Sequence, residues 1–524
     1  MFIPLAAEHN LIPPIARKAT LMSAAILSLK QLAEHSTSEA AYGVMRSDAV
    51  AVNAAGQREL YEKRQQIYPK AVHGFWRTTK WAFMAVLLSI YYIVPFLRWD
   101  RPGTAPDQFL LFDFSGGRFY MGPIEIWPQE LYYVTGLLIL AAIGLFLASA
   151  LFGRVWCGFA CPQTVWTDLF IAVEQFFEGD RNQRIRLDKQ KWDFNKAWRK
   201  IGKHVVWLVI ALATGGWFVA YFHDAPTLFR DFFTLEASLS AYLFAGALTA
   251  TTYVFAGTLR EQVCTYMCPW PRIQAAMLDQ DALSVTYRYD RGDPRGPHKK
   301  TDTWEGRGDC IDCRQCVAAC PAGIDIRDGL QIECINCALC IDACDEIMVK
   351  VDRPKGLIAY DTIQNIERRQ AGEKPHYQFI RGRTVFYALL FVAISGLMVT
   401  SLLMRTNLEV NVQRDRAPLF VPLSTGQVRN AYTIKILNKA DAARDVEISI
   451  DGVIDGQLLA NDIQVNNNKI TLNAGSDRVA QVRLFVLADP EKQRTLSTDI
   501  VVKVKATGDG ETARTNSVFI SGNQ

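Results

Sequence analysis

An α-helical integral membrane protein with five transmembrane helices, a two-cluster ferredoxin-like domain and a C-terminal all-β, immunoglobulin-like domain is the architecture this sequence predicts. Three observations predict it: five apolar stretches near membrane-crossing length, two C-x2-C-x2-C-x3-C runs inside Cys310–Cys344, and period-two alternation beyond residue 405. A chain of 524 residues exceeds one compact core, so several domains are expected. Half of the residues are apolar, with 12 Trp and 28 Phe, which suits a membrane protein with large water-exposed parts. The net charge of +4 is small for this length and gives no reason to expect nucleic acid as a partner.

Residues 1–62 form an extension without clear pattern. Leu21 to Leu29 is apolar but is broken by Lys30, too short for a signal peptide core, and Met22 and Met45 are both candidate starts. Disorder or a weak amphipathic helix is expected over residues 1–60. Residues 63–257 read as the membrane domain. Trp81 to Phe96, Leu131 to Phe152, His204 to Phe222 and Leu239 to Gly257 are nearly all apolar, and Thr384 to Met404 is a fifth such stretch. A helix needs about 20 residues to cross the hydrocarbon layer. The first stretch is short and would lean on Trp76, Trp81 and Trp99 as interfacial anchors.

Flanking charge sets the orientation. Lys63, Arg64, Lys70, Arg77 and Lys80 precede the first span; ten Lys and Arg residues from Arg154 to Lys203 separate the second from the third; Arg260 through Lys300 follow the fourth. The loops 99–130 and 223–238 carry only Arg101, Arg118 and Arg230. The positive-inside rule then puts the N-terminus and residues 258–383 in the cytoplasm of a bacterial inner membrane, and residues 405–524 in the periplasm.

Inside 258–383, Cys310, Cys313, Cys316 and Cys320 repeat as Cys334, Cys337, Cys340 and Cys344. This is the spacing with which bacterial ferredoxins hold four-iron clusters, the fourth cysteine of each run reaching the other cluster. Cys310, Cys313, Cys316 and Cys344 are therefore expected on one [4Fe-4S] cluster, and Cys334, Cys337, Cys340 and Cys320 on the other. Zinc has no use for the third cysteine of each run, and a disulfide scaffold conflicts with a reducing cytosol. Pro321 follows the first run, whereas Asp345 stands where a second Pro is common.

Four cysteines remain. Arg154-Val-Trp-Cys157-Gly-Phe-Ala-Cys161-Pro162 follows the second span and Arg260-Glu-Gln-Val-Cys264-Thr-Tyr-Met-Cys268-Pro269 follows the fourth. Both are C-x3-C-P after an Arg, an internal repeat that should set the four thiols at one depth. At i and i+4 on a helix each pair would stack on one face. Soft sulfur ligands favour Cu(I), zinc or iron–sulfur centres, and Met267 could add a thioether. Simple packing of buried Cys and a redox-cycling thiol pair are the alternatives. His204 and His223 bracket one helix and offer no haem site, and no Gly-rich dinucleotide fingerprint is present.

Over residues 405–524, Tyr432-Thr-Ile-Lys-Ile-Leu, Val446-Glu-Ile-Ser-Ile, Ala480-Gln-Val-Arg-Leu-Phe-Val and Ile500-Val-Val-Lys-Val-Lys alternate in and out between Asn, Asp and Gly turns. They predict a sandwich without chemistry of its own, since it holds no His or Cys, which docks a partner or stabilises the assembly.

With these parts in place the chain resembles the cytochrome c oxidase accessory protein family of the CcoG or FixG type. The resemblance covers residues 64–524. It rests on Ile67-Tyr-Pro-Lys-Ala-Val72, Arg154 to Trp166, Gln262 to Arg272, Gly323-Ile-Asp-Ile-Arg327, Asp342-Ala-Cys-Asp345 and Asn411-Val-Gln-Arg-Asp-Arg416. It implies a role in cbb3-type oxidase assembly by reduction of Cu(II) to Cu(I), with the clusters on the eight cysteines above and copper on Cys157, Cys161, Cys264 and Cys268. Two other readings are a quinol-linked membrane ferredoxin and a structural assembly scaffold. The partners expected are the lipid bilayer, a cytoplasmic electron donor, a copper chaperone or transporter and oxidase subunits, with a homodimer as a candidate assembly.

Overall fold

The computed structural model describes residues 44–53, 65–101, 105–440, 442–460, 463, 465–493, 495–508 and 510–522. They gather into two compact units, each built from segments far apart in sequence. One comprises the residues up to Tyr92, Leu138–Val219 and Ala237–Phe391; the other comprises Ile93–Leu137, Ala220–Glu236 and Val392–Gln524.

Five helices are long and apolar enough to cross a membrane: Phe75–Phe96, Pro128–Phe152, Phe194–Val219, Leu239–Leu259 and Gly382–Leu403. Large apolar side chains on them stand exposed, among them Leu243, Phe244, Leu389 and Val392, as lipid-facing positions must. The first is 22 residues long, so the short span expected from Trp81 is corrected. Its start is extended by Asp342, far away in the chain, whose carboxylate accepts the N–H groups of Trp76 and Arg77. The third begins ten residues before His204, because the charged turns at its head are held by carboxylates. Lys203 pairs with Glu174 and Glu178 at 3.4 and 2.7 Å, and Lys200 with Glu178 and Asp188 at 3.0 and 2.6 Å. The third and fourth spans cross closely at Ala211, Gly215, Ala245 and Thr249, all buried, and a Cβ on Gly215 would stand 2.5 Å from the Ala245 carbonyl. Small residues at a crossing let membrane helices approach this near.

The cysteine-rich part of the first unit is built on two short helices, Gln315–Ala319 and Leu339–Lys350, beside the antiparallel pair Ser284–Tyr287 and Ile358–Asp361. Residues 44–53 belong to it, against the expectation of disorder. The Ser47 N–H donates to the Cys313 carbonyl at 2.9 Å, the Val52 N–H to the Gly323 carbonyl at 2.8 Å, and Val44 and Ala49 are buried in the domain core. Residues 1–43 and 54–62 of that extension lie outside the described residues.

In the second unit a three-stranded antiparallel sheet, β1 (Leu110–Asp113), β2 (Arg118–Met121) and β3 (Ile124–Ile126), is followed by an antiparallel sandwich. The sandwich strands are β4 (Leu408–Arg414), β5 (Val421–Pro422), β6 (Val428–Asn438), β7 (Arg444–Asp451), β8 (Gln457–Ala460), β9 (Val465–Asn466), β10 (Lys469–Ala474), β11 (Arg478–Ala488), β12 (Ser497–Ala506) and β13 (Thr512–Ile520). One sheet runs β8-β11-β6-β4 with β5 also on β6, the other β9-β10-β7-β12-β13. The four alternating segments of the sequence fall in β6, β7, β11 and β12. Their inward residues, including Tyr432, Ile434, Ile436, Ile448, Leu484, Ile500 and Val502, are fully buried between the sheets.

Candidate metal centres

Backbone conformation shapes both cysteine runs alike. Asp312 and Arg314 flank Cys313 with φ of 54° and 55°, and Asn336 and Ala338 flank Cys337 with φ of 53° and 61°. Left-handed residues on both sides of the middle cysteine curl the chain around a centre and turn N–H groups inward. The Gln315 N–H reaches the Cys313 sulfur, the Asn336 N–H that of Cys334, and the Ala322 and Ile324 N–H groups that of Cys320.

Electrostatic neighbours group the sulfurs. Cys344 feels Cys316, Cys313 and Cys310; Cys320 feels Cys337 and Cys334; Cys340 feels Cys337, Cys334 and Cys320, then Cys316. Burial pushes the Cys334 thiol up to about 11 and the Cys320 thiol to about 12, despite the N–H donors on them. A thiol in such a place gives up its proton when a positive metal centre takes over the sulfur. Among the described residues no three Cys, His, Asp or Glu side chains close tightly enough on one point to grip a single ion. Four thiolates around one zinc would stand about 4 Å apart. Eight soft donors in two groups, buried or half-buried and each group supplied with N–H donors, fit a larger thiolate-held centre better than zinc.

The C-x3-C-P segments depart from the expected helix face. Cys157 lies in a π-helical turn, Trp156–Ala160, and Cys264 in another, Val263–Met267, while Cys161 and Cys268 are extended at φ, ψ of −61°, 128° and −82°, 126°. The proline that follows each second cysteine disfavours the α region for the residue before it, and with both second cysteines extended the i, i+4 stack does not form. Pro162 then opens the helix Pro162–Glu178, and Pro269 caps Trp270–Met277.

The two segments are nevertheless brought together. Gln163, directly after Cys161-Pro162, donates its Nε2 to the carbonyls of Phe255 and Arg260 at 2.8 and 3.2 Å, the turn leading into Cys264. Arg260, itself at φ 44°, is anchored by Glu174 at 2.9 Å, a fully buried carboxylate that also pairs with Arg184 at 2.9 Å. As a result Cys157 feels Cys161, Cys264 and Cys268, and Cys264 feels Cys161 and Cys268. Burial, then these sulfurs, push the Cys157 and Cys264 thiols up to about 12. The Cys157 Sγ–H donates to Oε1 of Gln274 at 2.9 Å; Gln274 is fully buried, and its Nε2 has no partner among the described residues. Met267 is 56% exposed, away from the role of an inward thioether. Gln163 and Gln274 were invisible in the sequence, because each follows a motif at a different distance and only one of the repeats carries each.

Comparison with known proteins identifies the domains that carry these cysteines. A model described as a 4Fe-4S dicluster domain matches residues 259–363, a 4Fe-4S binding domain model matches residues 134–179, and a model of the IG-like fold at the C-terminus of FixG matches residues 398–522. The nitrogen fixation protein FixG of Rhizobium meliloti is 46% identical over 84% of this chain and 90% of its own length. The chain belongs to the FixG/CcoG-type family. Proteins RdxB and RdxA of Cereibacter sphaeroides are 50% and 49% identical over 76% and 75% of this chain, each over 84% of its own length. As a member of this family with dicluster and IG-like domains and five apolar helices, the protein is a membrane-bound iron–sulfur electron-transfer protein.

Proposed function

We propose that this protein takes up electrons at its ferredoxin-like domain and reduces Cu(II) to Cu(I) at the sulfurs of Cys157, Cys161, Cys264 and Cys268, supplying cuprous ion for the assembly of a cbb3-type cytochrome c oxidase. The observation that carries the reading is the meeting of the two C-x3-C-P segments, joined by the Gln163 hydrogen bonds to Phe255 and Arg260, which sets the Cys157 and Cys264 thiols beside the other motif's sulfurs. In this reading Cys310, Cys313, Cys316 and Cys344 hold one [4Fe-4S] cluster, and Cys320, Cys334, Cys337 and Cys340 the other. The clusters supply one electron at a time. Two of the four sulfurs suffice for a soft cuprous ion, and thiolate favours that oxidation state over the cupric one. Burial keeps the Cys157 and Cys264 thiols protonated until metal arrives, so a Cu–S bond formed at either one releases a proton. The asymmetry of Lys and Arg between the loops supports a cytoplasmic ferredoxin-like domain with both motifs and a periplasmic sandwich.

Cupric reduction by membranes containing the protein, followed with a Cu(I) chelator, tests the reading. Replacement of Cys157 and Cys161 by Ala is expected to abolish copper-dependent turnover while the iron content stays at the parent value; a double variant as fast as the parent sinks it. A second reading is favoured by the 4Fe-4S binding model over residues 134–179, which include Cys157 and Cys161: the four sulfurs hold a further iron–sulfur centre. Iron analysis of the four-cysteine variant decides between them, since only this second reading loses iron.

A further inference from the structure

We infer that electrons leave the ferredoxin-like domain through the loop Cys334–Cys337 rather than through the loop Cys310–Cys316, and that Gly158 is the positioning residue of that exit. The inference rests on the reading above and adds the route to it. Gly158 is buried one residue past Cys157, and a Cβ added there would stand 2.8 Å from the carbonyl oxygens of both Ile335 and Asn336. The turn that carries Cys157 therefore lies backbone to backbone against the loop between Cys334 and Cys337. Its φ is not left-handed, so closeness and not conformation is what glycine serves here.

Neighbouring contacts make the same junction. Arg154, buried just before the motif, donates from Nη1 to the carbonyls of Ile332 and Cys334. The second motif shares a cleft with the same loop: Cys264 and Thr265 line it together with Pro321, Ala322, Glu333 and Ile335. Pro321 and Ala322 directly follow Cys320, which groups with Cys334 and Cys337. The loop Cys310–Cys316 is tied elsewhere: Asp312 to Arg46 and Arg327, the Cys313 carbonyl to Ser47 and the Cys310 carbonyl to Gly296. Electron tunnelling falls exponentially with distance, so the set Cys320, Cys334, Cys337 and Cys340 is the one that discharges. One electron would cross per copper: a reduced iron–sulfur centre held by those cysteines would be oxidised as Cu(II) becomes Cu(I), and each copper–sulfur bond formed at a protonated thiol would replace an S–H bond whose proton goes to water.

The full-length protein, reduced with dithionite and freed of excess reductant, is mixed with Cu(II), and cluster reoxidation is followed by stopped-flow absorbance and freeze-quench EPR. Gly158→Val forces the two backbones apart, and the longer electron path is expected to slow reoxidation several-fold. Iron content and the stoichiometry of directly added Cu(I) stay at parent values. Arg154→Gln, which keeps Gly158, is expected to slow the same step more mildly and serves where the valine variant does not fold. Arg46→Gln, which loosens only the loop Cys310–Cys316, is expected to match the parent. Parental rates in both Gly158→Val and Arg154→Gln, or a slowed Arg46→Gln, overturn the inference with the copper reading intact. A parent protein whose clusters are not reoxidised by Cu(II) overturns the copper reading first and this route with it.

Discussion

Gln274 shows how one uncharged side chain shapes a sulfur site. Its amide is fully buried and holds the Cys157 thiol at one end, while the other end faces no partner among the described residues. A buried unsatisfied donor costs about 1–3 kcal/mol. The amide can turn over to offer an N–H to Cys157 once a metal has displaced the thiol proton, so the same residue serves both states. Gln274→Leu is expected to weaken Cu(I) binding by about 10- to 100-fold, the usual cost of losing an outer partner of a metal ligand. Competition against a chelator of known affinity checks it, and an unchanged affinity removes Gln274 from the site. At this scale the sequence told much about the eight ferredoxin cysteines, because their spacing alone carries the geometry of two centres. It told less about the C-x3-C-P cysteines. Reading Cys157 and Cys161 as a helical i, i+4 pair overlooked what Pro162 does to the residue before it.

Among the elements, the small sheet β1–β3 and the sandwich strands share a charged cluster in the second unit. Arg118 on β2 pairs with Asp477, next to β11, and stacks its guanidinium over Trp127 at 4.0 Å, with Glu125 of β3 at 4.0 Å from it. Burial, then the Asp477 carboxylate, raise Glu125 from its ordinary value of 4.5 to about 7, against the pull of Arg118 and Arg101. The folded unit therefore keeps this proton after the unfolded chain has lost it. Stability falls as pH rises from 4.5 to about 7 and levels off above. Glu125→Gln is expected to remove the penalty, gaining about 1–2 kcal/mol at pH 8 after allowance for solvent screening and almost nothing near pH 4. Thermal unfolding of the second unit at the two pH values checks this, and an equal gain at both contradicts it. Nearby, Glu130 is buried and accepts from Arg405 at 2.8 Å and Lys439 at 2.6 Å, which ties the start of the second span to the strand-bearing segment. The pairs Arg118–Asp477, Glu130–Arg405 and Glu130–Lys439 each join residues more than 250 positions apart, so local pattern could not reveal them.

For the molecule as a whole, the distribution of Lys and Arg makes a topological prediction. Alkaline phosphatase fused after Ser424 is expected to be active and after Lys300 inactive, the reverse holding for a reporter that works only in the cytoplasm. Active phosphatase at Lys300 refutes the proposed sidedness. The sequence by itself determined the parts. Five apolar runs, two four-cysteine repeats and four alternating segments each carry their own local period, and period is a property of neighbours along the chain. Tertiary structure alone decided how the parts serve one another: that Asp342 extends the first span, that residues 44–53 lie on the ferredoxin-like domain, that Gln163 joins the two motifs, and that Gly158 lets Cys157 approach the Cys334–Cys337 loop. These are contacts between residues with no periodic relation, fixed by packing and hydrogen-bond satisfaction across long stretches of chain, and such contacts leave no mark in a single sequence.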